Sequence, residues 1–376
     1  MKTIRPTPAA SSAQISPFAV HAYIDDPLAL HHAWQEANKD KKMRARDAAE
    51  FLGVSECELI AAGVGLSTTR LAGEWVAMLK RIKGLGRVMA LTRNHAVVHE
   101  RHGVYLDASS MGKMGLVLGD DIDLRLFFSH WKYGYARVEK NADTVQRSIQ
   151  FFDESGDAVH KIFLGTVSDV DEFELFVAEF SADNQQAGER VTVKVLALPA
   201  VMNADVDVNA FRMAWAKLQD THDFFALLKN FNVSRTQALR LAARFAEQVA
   251  PATARQMLEA AARRRVEIMC FVGNAACIQI HTGHVSNIKV MAPWLNVLDA
   301  DFNLHLREDL IHEAWIVKKP TVDGIVTALE FFDRNGTQIT QFFGKRKPGQ
   351  PERNDWREIV AGLSVHAHAT QMTVAA

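Results

Sequence analysis

The segment QDTHDFFALL, at residues 219–228, places a histidine where it could serve as a metal ligand. Asp220 and Thr221 are good N-cap residues, and the apolar residues after them predict a helix that carries His222 in its first turn. The positive end of the helix dipole favours the neutral imidazole, which is the form that binds a metal. Asp220 or Asp223 could orient the ring through its second nitrogen. An exposed histidine in a capped turn, with no ligand, is the alternative interpretation.

Basic residues at the predicted ends of C-terminal strands form a second group that could bind a ligand. They occur in WIVKKPT and FFGKRKPG, beside apolar and aromatic residues, and comprise Lys318, Lys319, Lys345, Arg346 and Lys347. Cations in such surroundings can clamp carboxylates attached to a flat apolar ligand. Because lysine and arginine at strand ends usually face solvent, a solvated rim is the alternative.

Two other histidine pairs look like metal sites at first sight. HERH places His99 and His102 three residues apart on a predicted strand, and HTGH does the same with His281 and His284. Residues three apart on a strand point to opposite faces, so neither pair is expected to chelate one ion. The sequence also lacks the dinucleotide, Walker, serine-hydrolase and zinc-protease motifs, which leaves those functions without support.

Composition describes a globular chain with room for two domains. The 376 residues are 48% hydrophobic and 23% charged, and the net charge is -1. This balance disfavours nucleic acid and anionic membranes as partners. Cys57, Cys270 and Cys277 lack paired spacing and predict buried, reduced thiols of a cytoplasmic protein. No apolar run suits a signal peptide or a membrane span, and we expect a disordered lead-in over residues 1–27.

The order of predicted elements occurs twice along the chain. Helical periodicity up to Ile82 is followed by strand patterns and by a helix over residues 169–180. The same order returns as helices over 211–228, 234–248 and 251–265, then strands, then a helix over 356–363. The sequence therefore predicts an α+β fold of two similar units, each with helices and a large antiparallel sheet.

A register shift of 180 residues supports an internal duplication, because it superposes Met89 on Met269, Asn94 on Asn274 and Gly156 on Gly336. We predict an N-terminal repeat over residues 28–182, a linker over 183–209, a C-terminal repeat over 210–365 and a tail over 366–376. The copies differ at His222, which falls opposite Lys42, and at Arg125, which falls opposite His305. A ligand site that belongs to the C-terminal copy alone would show this asymmetry.

At DTHDFF, VSRTQALR, FVGN, QIHTG, PWLNVLD, WIVKKPT and FFGKRKPG the chain closely resembles bacterial haem-utilisation proteins of the HemS/ChuS/PhuS type, a hemin-degrading and hemin-transport family. The resemblance spans residues 28–363 and implies two similar halves, with one haem held in the C-terminal half near the junction. The positions that match the family's site are His222 as axial ligand, Arg125 as distal arginine acting through water, Arg235, Lys319 and Arg346 as propionate and pocket contacts, and Phe271 against the porphyrin.

The resemblance also implies a cytoplasmic protein that receives haem from an ABC transporter, and a homodimer is compatible with it. Two functions stay open: degradation of haem with a reductant and oxygen or peroxide, or delivery of intact haem to a haem oxygenase. Asp223, Phe224 and Phe225 stand where some transport-type relatives carry further histidines, which disfavours transfer by exchange between histidine ligands. A structural or regulatory protein that does not bind haem is the third interpretation.

Overall fold

Two large antiparallel sheets, each packed against helices, form this protein, and they confirm the predicted α+β fold with duplicated halves. The computed structural model describes residues 24–41, 43–140, 143–193, 202–347 and 349–363. Most of the predicted lead-in, part of the linker, the tail and Lys42 lie outside the described residues. None of the helices in the described ranges combines the length and the apolar character that a membrane span needs.

The N-terminal half begins with helices, and most of its strands follow in one run. Its helices are α1 (Pro27–Lys41), α2 (Ala45–Leu52), α3 (Glu56–Ala61), α4 (Trp75–Arg81) and α5 (Val170–Phe180). Its strands are β1 (Thr68–Arg70), β2 (Val88–Arg93), β3 (Val97–Gly103), β4 (Ser109–Met111), β5 (Met114–Leu118), β6 (Asp123–Phe127), β7 (Tyr133–Lys140), β8 (Val145–Phe152) and β9 (Ala158–Leu164). Gly53 ends α2 with a φ of 69°, a left-handed conformation that favours glycine.

The C-terminal half repeats this order. Its helices are α6 (Val208–Ala216), α7 (Asp223–Asn230), α8 (Arg235–Leu241), α9 (Thr253–Arg264) and α10 (354–363). Its strands are β10 (Ala246–Val249), β11 (Ile268–Gly273), β12 (Cys277–Gly283), β13 (Ile288–Met291), β14 (Trp294–Leu298), β15 (Phe302–Arg307), β16 (Glu313–Thr321), β17 (Gly324–Phe332) and β18 (Gln338–Gly344).

Each sheet takes three strands from the opposite half. The N-terminal sheet has the strand order β1-β7-β8-β9-β2-β3-β15-β14-β13, and the C-terminal sheet has the order β10-β16-β17-β18-β11-β12-β6-β5-β4. In the C-terminal sheet, Arg125 of β6 pairs with Ile278 of β12. In the N-terminal sheet, His305 of β15 pairs with Val98 of β3. Residues of the N-terminal repeat therefore reach the C-terminal sheet, and the reverse also holds.

Two equivalent asparagines tie the halves together. The amide nitrogen of Asn94 donates to the carbonyl oxygens of Gly273 and Ile339, at 3.0 and 2.8 Å. Asn274 donates in the same way to two carbonyl oxygens of the N-terminal half, at 3.1 and 2.9 Å. Each asparagine oxygen accepts two backbone N–H groups of its own turn. The duplication thus produces a symmetric set of hydrogen bonds at the junction.

The two faces of the C-terminal sheet are covered differently. Buried Cys270 and Phe342 face a core that α9 and α10 complete. On the other face, α6, α7 and α8 contribute Trp215, Phe224 and Leu239 to a core with Val317 and neighbouring residues of β16, β17 and β18. Strands β11, β12, β6 and β5 continue this second face with side chains that are mostly half-buried.

Two of the predicted helices are wrong in part. The segment predicted as one helix over 211–228 is split between α6 and α7, because the turn between them is closed by side chains of Asp220 and Asp223 that accept backbone N–H groups. The helix predicted over 234–248 ends at Leu241, and β10 follows and pairs with β16. The partner of an edge strand lies far away in sequence, so local periodicity does not reveal it. The sequence patterns also miss β1, β4, β5, β13 and β14.

The cysteines behave as predicted, since Cys57, Cys270 and Cys277 are buried and form no disulfide with one another. Burial raises the pKa of both Cys270 and Cys277 to about 12. These thiols are therefore packing residues rather than nucleophiles.

Candidate functional site

One face of the C-terminal sheet gathers residues from strands that are far apart in sequence. Phe271 of β11 pairs with Ile280 of β12 and with Gln341 of β18. Residues directly opposite each other on antiparallel strands project from the same face. Arg125 pairs with Ile278, which lies two residues from Ile280 and therefore shares its face. We call the surface that carries Arg125, Phe271, Ile280 and Gln341 the open face.

The middle of the open face is apolar and only partly covered. Met269 and Phe271 are half-buried on β11, and the Phe271 ring packs against Phe343 at a centroid distance of 5.2 Å. Leu116 and Leu118 of β5 extend the apolar area, and Leu118 is 51% exposed. A sheet surface of this kind suits a planar hydrophobic ligand.

At one end of the open face, a buried carboxylate is held between two cations. Arg235, the first residue of α8, donates from Nε and Nη2 to the two oxygens of Glu330, at 2.7 and 2.6 Å. The Lys319 Nζ lies 3.2 Å from the same carboxylate. Burial raises the pKa of Glu330, but the positive charges of Arg235 and Lys319 outweigh burial and bring this pKa to about 2. Burial lowers the pKa of Lys319 to about 8, although the charge of Glu330 opposes this shift. Both predicted propionate contacts, Arg235 and Lys319, are thus bound to a carboxylate of the protein.

The same two cations hold helix α7 in place. The Phe224 ring lies 4.6 Å from Lys319 Nζ and 5.1 Å from the Arg235 guanidinium. It also packs edge to face against Trp215, with 4.7 Å between the ring centroids. Cation–π contacts of desolvated groups are stabilising. Since Phe224 follows His222 by two residues, this packing fixes the position of the turn that carries His222.

His222 is at the N-cap position of α7, and its side chain is 93% exposed. Its Nδ1 lies 2.5 Å from Asp220 Oδ1, and its backbone N–H bonds to the same oxygen at 2.8 Å. The backbone N–H of His222 lowers the pKa of Asp220, and its ring contributes further, so Asp220 is ionised. An ionised carboxylate only accepts, which places a proton on Nδ1 and leaves Nε2 as the nitrogen available to a ligand.

The predicted N-caps, Asp220 and Thr221, do not cap α7. His222 occupies the N-cap position itself, and α7 has no side-chain cap bond. The Asp223 carboxylate instead accepts the backbone N–H groups of Gln219 and Asp220, at 3.2 and 2.9 Å. The acidic residues therefore stabilise the turn before the helix, and His222 belongs to that turn and not to the first helical turn.

Arg346 is a cation with spare bonding capacity beside this turn. Its Nη1 is buried and has no hydrogen-bond partner within the described part of the chain. Its Nη2 lies 3.9 Å from Asp323 Oδ2. The charge of Arg346 is among the causes that lower the pKa of Asp220, which places the guanidinium near the His222 turn. Arg346 can therefore bind an added carboxylate without losing a close bond that it already makes.

Arg125 lies on the other side of the apolar area. Its Nη1 is bound to Asp123 on the same strand and to the carbonyl oxygen of Leu124 at 3.2 Å. Burial raises the pKa of Asp123, and Arg125 opposes this rise. Strands β11 and β12 separate β6 from β18. The apolar area therefore lies between Arg125 and strands β16, β17 and β18, against which α7 packs. The fold brings Arg125 and Phe271 onto one surface but does not bring Arg125 into contact with His222.

The corresponding face of the N-terminal sheet is polar. His305, which takes the place of Arg125 in the repeat, donates from Nδ1 to Asn296 Oδ1 at 2.7 Å. Glu100 takes the place of Ile280 and lies 3.9 Å from His305. The N-terminal sheet therefore carries polar groups at positions where the open face is apolar or holds Arg125.

Sequence reasoning missed Glu330, the residue that organises the cationic end of the open face. In the 180-residue register, Glu330 falls opposite Gln150 and Lys319 falls opposite Glu139. The ion pairs that Glu330 makes with Arg235 and Lys319 are therefore specific to the C-terminal copy. This change of charge between the copies was a signal present in the sequence.

The histidines of HERH and HTGH do not form a metal site. His99 and His281 are buried and pack against Phe302, at centroid distances of 5.0 and 3.7 Å. His102 lies three residues further along β3 and projects from the opposite face, and His284 lies beyond the end of β12. Within the residues that the structure describes, no cluster of three or more histidine, cysteine, aspartate or glutamate side chains could hold a metal ion.

Comparison with known proteins gives consistent matches over most of the chain. The family model described as the haemin-degrading HemS.ChuX domain matches residues 53–180 and 232–363. The hemin transport protein HemS of Yersinia enterocolitica is 38% identical over 338 residues, which cover 89% of this chain and 97% of that protein. The structure of holo-PhuS, a heme-binding protein from Pseudomonas aeruginosa, is 49% identical with a TM-score of 0.86, covering 89% of this chain and 97% of that one. The heme-degrading enzyme ChuS of Escherichia coli O157:H7 is 35% identical with a TM-score of 0.83, covering 90% of this chain and 99% of that one.

Proposed function

This chain belongs to the family of the haemin-degrading HemS.ChuX domain, and we propose that it binds one haem on the open face of the C-terminal sheet. The observation that carries the proposal is the turn at His222, where Asp220 holds the imidazole and Nε2 is left as the available nitrogen. Histidine is a common axial ligand of haem iron. Relatives of this chain are described as heme-binding, hemin transport and heme-degrading proteins, which supports haem as the ligand.

The side chains present match the three chemical parts of a haem. Phe271 and Leu116 offer an apolar surface to the porphyrin plane. His222 offers a nitrogen to the iron, and the Arg346 guanidinium, whose ion pair with Asp323 is long at 3.9 Å, offers positive charge to a propionate. The N-terminal sheet presents Glu100 where the open face has Ile280, so the same surface there suits a porphyrin poorly.

In this proposal Asp220 selects the His222 nitrogen that would bind the iron. The hydrogen bond from Nδ1 fixes the tautomer and the orientation of the ring, and it makes Nε2 a stronger base. The 93% exposure of the His222 side chain means that haem can approach it without displacing packed residues. Asp223 stabilises the same turn, because its carboxylate accepts the backbone N–H groups of Gln219 and Asp220.

We assign Arg125 to the distal side of the haem. Its bond to Asp123 keeps the guanidinium on β6, at the part of the open face that lies away from α7. Bound haem would supply the one-electron and oxygen chemistry. Arg125 would contribute positive charge and hydrogen-bond donors on the side opposite His222, either directly or through water.

Arg235 and Lys319 have a different role in this proposal from the one that the resemblance implies. Glu330 already binds both, and both lie against the Phe224 ring. We infer that they position α7 and the His222 turn, whereas Arg346 makes the direct propionate contact.

We further propose a cytoplasmic role in bacterial iron acquisition, in which haem arriving from an ABC transporter is degraded on the open face. Delivery of intact haem to a haem oxygenase is the alternative. The exposure of the axial side favours that alternative, because His222 and Phe225, which is 77% exposed, leave room for a partner protein to approach.

Turnover of the one-to-one hemin complex distinguishes degradation from delivery. The complex is incubated with a reductant and oxygen in the presence of catalase, and the Soret band, carbon monoxide and released iron are followed together. Loss of the band with stoichiometric products, despite catalase, establishes an enzyme. A stable band establishes a carrier, and failure of hemin to form a one-to-one complex would overturn the proposed function itself.

A further inference from the structure

A cavity of about 970 Å³ lies in the N-terminal half, apart from the open face. It is bounded by α1, by the start of β1, by the end of β7 and by α5. Its apolar lining includes Leu66, Phe173 and Val177. The cavity is large enough for a small organic molecule.

Five side chains that line this cavity each hold a buried polar atom with no hydrogen-bond partner among the residues that the structure describes. The atoms are His31 Nδ1, Trp34 Nε1, Asn38 Oδ1, Thr68 Oγ1 and Arg137 Nε. Four of these residues, all except Asn38, are no more than 7% exposed. Because native proteins rarely leave buried polar atoms unpaired, a group of five around one cavity indicates that something binds there.

The unpaired atoms are close together in the fold. Thr68 of β1 pairs directly with Arg137 of β7, so the two side chains project from the same face of the sheet. The Arg137 guanidinium lies 4.3 Å from the centre of the Trp34 ring. The rings of His31 and Trp34 are 6.4 Å apart. These side chains therefore form one polar end of the cavity.

This polar end consists mostly of donors. His31 Nε2 contacts the Gln35 amide nitrogen at 3.0 Å and accepts from it, so the neutral ring carries its proton on the unpaired Nδ1. Burial lowers the pKa of His31, with Arg137 adding to the effect, which keeps the ring neutral. With the unpaired atoms of Trp34, Thr68 and Arg137, the group contains four possible donors and one acceptor, the oxygen of Asn38. The ligand must therefore be rich in acceptors.

The charges at the cavity limit the charge of the ligand. Arg137 is ion-paired with Glu139 at 2.6 Å, and Glu139 and Glu174 also line the cavity. Lys140 lines it too, and exposed His32 is a further basic group. Because the positive and negative charges around the cavity nearly balance, a carboxylate with one negative charge is favoured over a phosphate with two.

The C-terminal half lacks this polar group at the equivalent place. There Val317 takes the position of Arg137 and pairs with Ala246. Phe211 takes the position of His31, and both Val317 and Phe211 are buried in a hydrophobic core. The polar residues are therefore not a requirement of the repeat itself.

We propose that the cavity binds a small organic acid, with its carboxylate at Arg137, Thr68, Trp34 and His31 and its apolar body against Phe173 and Val177. This site is separate from the haem site and does not depend on the proposed function. The ligand would satisfy donors that are otherwise buried without a partner.

The test uses the full-length chain and benzoate as the probe, with benzamide as its uncharged counterpart and phenyl phosphate as the dianionic one. Binding is measured by ligand-observed saturation-transfer NMR and by titration. Thr68→Val removes one unpaired donor and keeps the shape of the side chain, whereas Trp34→Phe removes the indole N–H together with one ring. Arg125→Leu serves as a control on the open face. Thermal unfolding checks that each variant is folded.

We expect benzoate to bind in preference to benzamide and phenyl phosphate. Thr68→Val and Trp34→Phe should each weaken benzoate binding roughly tenfold, as expected for a lost hydrogen bond to a charged group, and Arg125→Leu should leave it unchanged. Absence of benzoate binding, benzoate binding by both donor variants as tight as by the parent chain, or tighter binding of phenyl phosphate would overturn the proposal. Loss of benzoate binding in Arg125→Leu would also overturn it, because the probe would then occupy the open face.

Discussion

Arg125 of the N-terminal repeat lies directly opposite Ile278 of the C-terminal repeat, in the pairing of β6 with β12. This neighbour relationship exists because the two halves exchange strands. The open face of the C-terminal sheet is consequently built from both repeats, and the proposed haem would lie between a histidine of one and an arginine of the other.

The first prediction concerns Arg125→Leu. Since Arg125 is assigned to the distal side, hemin affinity should stay within about threefold, whereas haem loss in the turnover assay should slow by about 100-fold, the usual effect of removing one donor that stabilises developing charge. Stopped-flow spectra of the Soret band measure both. An unchanged rate of haem loss in the variant would contradict the distal assignment.

His222→Ala should change the hemin spectrum and weaken binding, because it removes the proposed axial nitrogen. Asp220→Asn keeps His222 but weakens the bond that holds its ring, so we expect hemin affinity to fall by about 10-fold to 100-fold. Absorption titrations with hemin provide the measurement. His284→Ala, which changes another exposed histidine of the same half, is the matched control. If His222→Ala and His284→Ala gave the same Soret band and affinity, His222 would not be the ligand.

Arg346→Ala should weaken binding of hemin by roughly tenfold and leave its coordination spectrum unchanged, since the residue is assigned to a propionate and not to iron. Hemin dimethyl ester, which lacks free carboxylates, should bind equally to the parent chain and to the variant. Lys347→Ala, at an exposed neighbouring position, is the control. A similar loss of affinity for the ester would show that Arg346 acts through the fold.

Lys319→Met should lower the free energy of unfolding by about 2 kcal/mol, because it removes one of two cations from buried Glu330 and a contact with Phe224. Urea denaturation followed by circular dichroism measures this change. Lys318→Met, at the exposed neighbouring position, should have little effect. Equal stability of Lys319→Met and the parent chain would refute the positioning role. If the variant lost affinity for hemin but not for its dimethyl ester, Lys319 would be a propionate contact instead.

Buried histidines should make the protein less stable in acid. Burial lowers the pKa of His160 and of His281 to about 3 in the folded chain, whereas an unfolded histidine titrates near pH 6.5. Below about pH 6.5 the unfolded state therefore binds more protons, and stability falls as the pH falls toward 3, by up to about 1.4 kcal/mol per pH unit for each histidine. Above pH 6.5 this contribution is fully present.

Urea denaturation at several pH values between 4 and 7 tests this dependence. His281→Leu should reduce the slope of unfolding free energy against pH by about one proton. His130→Ala removes an exposed histidine and should leave the slope as it is. An identical slope in His281→Leu and the parent chain would show that His281 is not a source of the acid sensitivity.

The sequence by itself determined the secondary structure of most strands, the duplication and the asymmetry between the copies. These features are local or periodic: a short apolar run such as Ile268–Gly273 marks a buried strand, and one constant offset relates Asn94 to Asn274. The hydrogen bond between the His222 ring and an aspartate could also be predicted from the sequence, because Asp220 is only two residues away.

Tertiary structure decided the rest, since the partners concerned are far apart in the chain. The pairing of β12 with β6 depends on which sheet edges meet, and nothing near Arg125 in the sequence specifies Ile278 as its neighbour. Likewise, the fold buries Glu330 between Lys319 and Arg235, and the two ion pairs offset the cost of removing its carboxylate from water. Long-range packing therefore decides which basic side chains remain available to a ligand. The local sequence identifies only the candidate residues.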